Sequence, residues 1–374
     1  MLDTIHRGYI EGYYGKLLSF EDRHGLLARL RRLSMDSYLY APKDDLWHRF
    51  NWRASYPDKW CAAFASFCET AKANQIQVLA GIAPGLDFNF AEDKADFAAL
   101  RAKAAQLTAA GADALVLMFD DISNDLSGFA AAGLSEGAAQ AFLANKLQQE
   151  TGRPLLLVPR LYADEIEGDH IAYAAELNQH LANDIAVFTC GRTIVAGQIS
   201  LQNSAGVLAR DLQRHRLIWD NLYCNDYCPR RLFTGPWTGR QEDDPVLLNG
   251  TGLPETDRLL LGLMAGQDRQ KLLVEAGVPA AFAEVEACFW HPVISGQPAT
   301  TDPFDTAAML AALDHLLWRW KSPLAREWYP YLFGLRQDLL LAGGEMEDER
   351  IAKTYTPVLA RHLTTTRNFS QKKG

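Results

Sequence analysis

The chain has 374 residues, 48% of them hydrophobic and 10% aromatic, with a formal net charge of −9 at neutral pH. That length suits one large domain with an appendage, and the acid excess, with no dense Lys/Arg stripe, excludes an electrostatic surface for nucleic acid. No run approaches a membrane span, Met1-Leu2-Asp3-Thr4 turns polar at once, and six cysteines lie scattered, so a cytoplasmic protein with reduced thiols and no membrane partner is expected.

Tyr9 to Gly15 reads as a strand running into glycine, followed by an amphipathic helix from about Ser19 to Leu33. The cluster Arg29-Leu30-Arg31-Arg32 falls at that helix's end, where cations complement the helix dipole. Ser37–Pro42 is the second strand and empties into Lys43-Asp44-Asp45. A helix near Pro57–Asn74 leads to the strand Gln77–Ala83 and the turn Pro84-Gly85. A helix near Asp93–Ala110 precedes the apolar run Ala114–Phe119, which meets Asp120 and Asp121. Then come a helix near Ser135–Glu150, the strand Pro154–Pro159, a helical segment through Glu165–Asn183, and the strands Ile185–Cys190, Leu217–Asn221 and Val246–Asn249.

Eight strand candidates alternating mostly with helices over about 260 residues predict a (β/α)8 TIM barrel, for which about 250 residues is typical. A doubly wound open sheet is the competing architecture, weakened because no glycine-rich phosphate fingerprint follows the first strand. After about Gly266 the strand signal stops. Helical patterns near Pro279–Ala287, Asp305–Lys321 and Trp328–Leu341 predict a C-terminal helical module, with Trp290, Trp318, Trp320 and Trp328 in its core. The expected division is therefore a barrel over 1–266 and a helical region over 267–374, whose last residues, Thr364–Gly374, read as a polar frayed tail.

Two carboxylates at the end of a fully buried strand are costly unless solvated, paired or used in chemistry. The bland alternative is that Asp120 and Asp121 cap the next helix. In a barrel, the C-terminal strand ends are where active sites are built. Cys224 and Cys228 share a helical spacing, but no second His or Cys pair has zinc-site spacing, so no metal and no cofactor are expected.

Six stretches appear in order: Glu11-Gly12-Tyr13-Tyr14-Gly15, Tyr40-Ala41-Pro42-Lys43-Asp44-Asp45, Pro84-Gly85-Leu86-Asp87, Phe119-Asp120-Asp121-Ile122, Trp219-Asp220-Asn221 with Asn225-Asp226-Tyr227, and Leu232-Phe233-Thr234-Gly235-Pro236. Together they resemble glycoside hydrolase family 84, the O-GlcNAcase and hyaluronidase-like β-N-acetylglucosaminidases, over about residues 7–260. The resemblance implies a retaining hydrolase of terminal β-linked GlcNAc, on a glycoside or a glycoprotein, in which the substrate's own 2-acetamido oxygen is the nucleophile and an oxazoline forms. By the family pattern Asp120 orients the acetamido N–H and Asp121 is the general acid, then the base. The acid needs a raised pKa while its partner stays ionised. Tyr162 matches a tyrosine on the acetamido group. Gly12 and Lys43 match residues on the sugar hydroxyls, Asn221 an asparagine in the sugar site, Asp226 the acid that holds the 4- and 6-hydroxyls, and Trp219 a wall of the acetyl pocket.

Two departures stand out. Thr251 aligns with an asparagine on the sugar rim, and Thr189-Cys190 stand where better-known members carry Trp-Thr. Action on glycan fragments alone, or a GlcNAc-binding module without turnover, are the alternatives. Retention of both aspartates argues against the second. Oligomeric state is not legible in the sequence.

Overall fold

The computed structural model describes residues 5–342 except 124, 126, 203–205, 291 and 293–304. Eight parallel strands close into a barrel in sequence order: β1 (Arg7–Glu11), β2 (Ser37–Tyr40), β3 (Gln77–Ile82), β4 (Ala114–Met118), β5 (Leu155–Val158), β6 (Ala186–Thr189), β7 (Arg216–Asp220) and β8 (Val246–Asn249). Closure is made by β1 against β8, with Ile10 opposite Asn249. The fold is the (β/α)8 barrel predicted. Its helices are α1 (Phe20–Arg32), α2 (Asp58–Ala73), α3 (Asp93–Ala109), α4 (Ser127–Ala131), α5 (Glu136–Thr151), α6 (His170–His180), α7 (Val207–Asp211) and α8 (Pro254–Met264).

The pleat sorts each strand's side chains into two layers. Ile10, Leu39, Val116, Leu156, Phe188, Leu217 and Leu247 fill the barrel interior. Tyr9, Tyr38, Leu115, Leu117 and Ile218 face the helices. Polar groups between barrel and helices are paired: Arg23 of α1 makes a two-pronged contact with Glu11 (2.9 and 2.8 Å), which also accepts from the Tyr38 hydroxyl at 2.8 Å. Such a buried charge is tolerable only with this kind of partner. At the entry to α1, Ser19 and Asp22 cap each other's backbone amides, and Arg29, Arg31 and Arg32 occupy its last turn.

Two helix expectations shift: the start of α6, and the segment Pro279–Ala287, which forms 3-10 turns in place of an α-helix. α6 starts at His170, not Glu165, because Asp164 and Glu165 instead take hydrogen bonds from their amides to the Gly191 and Arg192 carbonyls of the loop after β6. After α8 come α9 (Arg269–Glu275), two 3-10 turns (Ala280–Glu284 and Glu286–Phe289), α10 (Thr306–Trp318) and α11 (Pro323–Ala342). The stripe Met309, Leu313, Leu316 and Leu317 is buried as its spacing predicts, and so are Trp320 and Trp328. Trp318 is not core: one position past Leu317 it leaves the stripe and is 56% exposed, edge-on to Tyr329. Trp290 is half-buried under the Arg269 guanidinium. The predicted tail Thr364–Gly374 lies outside the described residues. Among the described residues no helix is long and apolar enough to cross a membrane, and no His/Cys/Asp/Glu cluster could hold a metal ion. All six cysteines are free thiols.

Candidate active site

A cavity of about 590 Å³ opens at the C-terminal ends of the strands, a volume within the usual range for small-molecule sites. Gly12, Lys43, Asp120, Asp121, Tyr162, Trp219, Asn221 and Asp226 all line it. Thr251 does not.

β4 delivers the two aspartates differently. Asp120 continues the strand inward and is 6% exposed. Asp121 sits at φ +55°, in the left-handed region, which swings its carboxylate out to the mouth; its side chain is 32% exposed. Asn and Asp are the non-glycine residues that enter this region most readily. Arg49 holds the turn by donating to the Asp121 carbonyl at 2.6 Å.

Lys43, at the end of β2, is buried, and its Nζ contacts Asp120 Oδ2 directly and lies 3.9 Å from Asp121 Oδ2. Asp120 Oδ1 is also buried, yet among the described residues no group donates to it. Asp121 accepts from the Tyr162 hydroxyl at 2.8 Å and from the Tyr14 hydroxyl at 3.0 Å. Burial, helped by the charge on Asp121 and opposed by Lys43, holds the Asp120 pKa above the ordinary carboxylate value. Burial also pushes Asp121 upward, but Lys43 and the two tyrosine hydroxyls outweigh it and hold Asp121 below that value. In the free protein the split therefore runs opposite to the one a general acid at Asp121 requires. Burial and the neighbouring aspartate raise both tyrosines, so they remain protonated donors.

The opposite wall is a chain of neutral groups joined by the Asp226 carboxylate from the β7–β8 loop. Asn249, ending β8, accepts from the Gly12 amide at 3.1 Å and donates to Asn221 Oδ1 at 2.9 Å. Asn221, just past β7, also accepts from Trp219 Nε1 at 3.0 Å and donates to the Ile194 carbonyl at 3.0 Å. The thiols of Cys190 and Cys224 lie 3.5 Å from the amides of Asn221 and Asn249 respectively. Gly12 permits this wall to close: a Cβ there would stand 2.3 Å from the Trp219 ring. Asp226 comes from the long β7–β8 loop, and its carboxylate accepts from the Tyr14 amide at 2.9 Å and the Cys224 thiol at 3.2 Å.

Thr251 needs correcting. Its hydroxyl and amide both bond Asp257 Oδ1, at 2.7 and 2.9 Å, turning it toward α8 and away from the cavity. Asn249 stands on the wall instead, two residues earlier and still on the strand. Of the Thr189-Cys190 departure, Cys190 reaches the cavity, while Thr189 is buried with its hydroxyl on the Tyr162 carbonyl. Sequence reading also passed over Tyr14 and Arg49. Tyr14 stood inside a quoted motif, and Asn249 carried the same strand-end signal as Asn221. Nothing local marked Arg49.

A profile described as beta-N-acetylglucosaminidase matches residues 7–250. The protein O-GlcNAcases of Mus musculus and Rattus norvegicus are each 31% identical over 242 residues, covering 63% of this chain and 26% of theirs. The chain thus spans about a quarter of the length of these curated relatives. A solved structure of a Thermobaculum terrenum O-GlcNAc hydrolase mutant superposes with a TM-score of 0.77 at 22% identity, over 90% of this chain and 81% of that one, a likeness of fold. The matched residues begin at β1 and end just past β8, taking in both walls of the cavity, and the chain belongs to the β-N-acetylglucosaminidases of glycoside hydrolase family 84.

Proposed function

We propose that this chain is a retaining β-N-acetylglucosaminidase that removes terminal β-linked GlcNAc by substrate-assisted catalysis, from Ser/Thr-linked GlcNAc on proteins. The observation that carries this reading is Asp120, which lines a cavity of monosaccharide scale and whose buried Oδ1 has no donor among the described residues. An acetamido N–H is the donor it lacks. That hydrogen bond favours ionised Asp120 and orients the acetamido oxygen toward the anomeric carbon. Adjacent carboxylates at one strand end cannot flank a sugar from opposite faces at the about 5–5.5 Å of the two-carboxylate retaining route.

The sugar also reverses the proton arrangement of the free site. Covering Asp121 removes its remaining solvent and raises its pKa, while the new N–H lowers that of Asp120. Asp121 then donates its proton to the leaving oxygen as the acetamido oxygen closes on the anomeric carbon. It next takes a proton from the water that opens the oxazoline, which returns the original configuration. Lys43, Gly12, Asn221 and Asp226 hold the sugar hydroxyls, with Trp219 along the acetyl group. Residues 1–266 are assigned to the catalytic barrel and 267–374 to a helical region.

A thiazoline analogue of GlcNAc should inhibit turnover of an aryl β-GlcNAc glycoside competitively and bind more tightly than substrate. A covalent glycosyl-enzyme trapped with a fluorosugar would refute the oxazoline route. Release of GlcNAc from a modified protein, compared with release from oligosaccharides, decides the substrate class.

A further inference from the structure

The helical region does more than extend the barrel, because its contacts converge on the two loops that complete the wall opposite the aspartate pair. We infer that α11 is a positioning element of the sugar pocket: Glu327 and Tyr331, one helical turn apart, hold the strand-end segments that carry Asn249 and Asp226. This rests on the sugar-binding reading of Asp226 given above.

The first tether begins at α8. This helix starts with Leu253 at its N-cap, and that side chain makes no cap hydrogen bond. Its first amides therefore need an outside acceptor. Glu327 supplies it from 71 residues along the chain: its two carboxylate oxygens accept from the amides of Glu255 (2.9 Å) and Thr256 (2.8 Å) and from the Thr256 hydroxyl (2.7 Å). A carboxylate on a helix N-terminus is also favoured by the helix dipole. Trp328, fully buried, donates to the same Thr256 hydroxyl at 3.0 Å. The next residue, Asp257, holds Thr251 and the Tyr9 hydroxyl (2.7 Å). The segment from Asn249 to α8 is thus fixed at both ends, by β8 and by α11.

The second tether reaches the β7–β8 loop. Asn225, 4% exposed, divides its side-chain amide between the Arg231 carbonyl (2.7 Å) and the Tyr331 hydroxyl (3.2 Å). Asp226 follows directly. Further along the loop, Thr234 donates to the Phe289 carbonyl at 2.8 Å and accepts from Arg269 at 2.7 Å. A loop with no strand or helix between β7 and β8 is held in shape from outside the barrel.

Tyr331→Phe removes one tether and Glu327→Gln weakens the other, by turning one of its two acceptor oxygens into a donor, while both keep side-chain volume. Arg336→Ala is the comparator, since its ion pair to Asp314 joins α11 to α10 without reaching either loop. Tyr331→Phe should raise KM for an aryl β-GlcNAc about three- to tenfold with kcat nearly unchanged, the range expected for a lost hydrogen bond that leaves a buried donor unpaired. The same substitution should cost much less with the 4-deoxy and 6-deoxy glycosides, because a hydroxyl that is absent cannot be misplaced. Amide hydrogen exchange should quicken over 221–231 in Tyr331→Phe and over 249–257 in Glu327→Gln, and over neither in Arg336→Ala. An equal penalty on all three sugars, or unchanged exchange in those segments, overturns the inference. If the wild-type protein releases no aryl group, the enzymatic reading fails, and hydrogen exchange alone still decides whether α11 holds the loops.

Discussion

The two walls of the cavity solve different problems with different chemistry. The wall from β2, β4 and β5 is charged and supports itself: Lys43 on Asp120, Tyr162 on Asp121, and Arg49 on the Asp121 backbone. The strand ends of β7 and β8 give a neutral wall, a hydrogen-bonded chain running Gly12–Asn249–Asn221–Trp219, to which the β7–β8 loop adds Asp226. Its flanking loop and helix start are held by residues beyond residue 266. Charges that must change during a reaction are best kept on short strand-end arms with fixed partners, since misplacement by an ångström is expensive where proton transfer occurs. Recognition of hydroxyls tolerates a longer chain of supports, because each contact is worth about 0.5–1.5 kcal/mol. The difference predicts that damage to the charged wall appears in kcat, and damage to the neutral wall in KM.

The largest effect falls on the aspartates. Asp120→Ala should lower the rate about 10²–10⁴-fold on every substrate, because participation by the acetamido group fails whatever the leaving group. Asp121→Ala should spare substrates with good leaving groups and be restored on them by azide. Identical leaving-group dependence in the two variants would dissolve the division of roles within the charged wall.

A smaller effect tests the tyrosine donors. Tyr162 and Tyr14 stabilise ionised Asp121, so Tyr162→Phe should raise its pKa. Activity that requires protonated Asp121 is lost as pH rises through that value. The alkaline limb of kcat, which reports the enzyme–substrate complex, should therefore move to higher pH in Tyr162→Phe, and movement to lower pH would contradict the geometry. The smallest effect concerns the neutral wall's margin. Thr251→Asn should leave KM within about twofold and lower stability by about 1 kcal/mol, because it disturbs the paired bonds to Asp257 and touches no sugar. A clear fall in KM would place residue 251 back on the rim.

The barrel was legible because buried parallel strands leave continuous apolar runs, as Ala114–Met118 does, and because charge at the end of such a run has few structural uses. That pattern singled out the aspartate pair; the other expected residues of the cavity were legible only through the resemblance to the family. What was not legible depends on chain far away or on the curl of a loop. Thr251 was misplaced since the departure point from β8 is set by Asp257, six residues on. Glu327 caps a helix that begins 73 residues earlier, which no local signal encodes. Trp318 and Trp320 look alike in composition, yet one is exposed and the other buried by a two-residue difference in phase.

The left-handed backbone at Asp121 has a consequence for which substitutions the family can explore there. Alanine at φ +55° costs about 1–2 kcal/mol of backbone strain, so Asp121→Ala mixes a conformational defect with a chemical one. Asparagine keeps the turn and replaces the ionisable carboxyl by a neutral amide, leaving one acceptor oxygen for the two tyrosine hydroxyls, which makes Asp121→Asn the probe of acid catalysis with the less disturbed backbone. Glutamate is disfavoured twice, by backbone conformation and by an arm one carbon too long for the partners at Tyr14 and Tyr162. At this position the shape of the main chain admits few alphabets of side chain, and a short carboxylic acid is one of the few letters left.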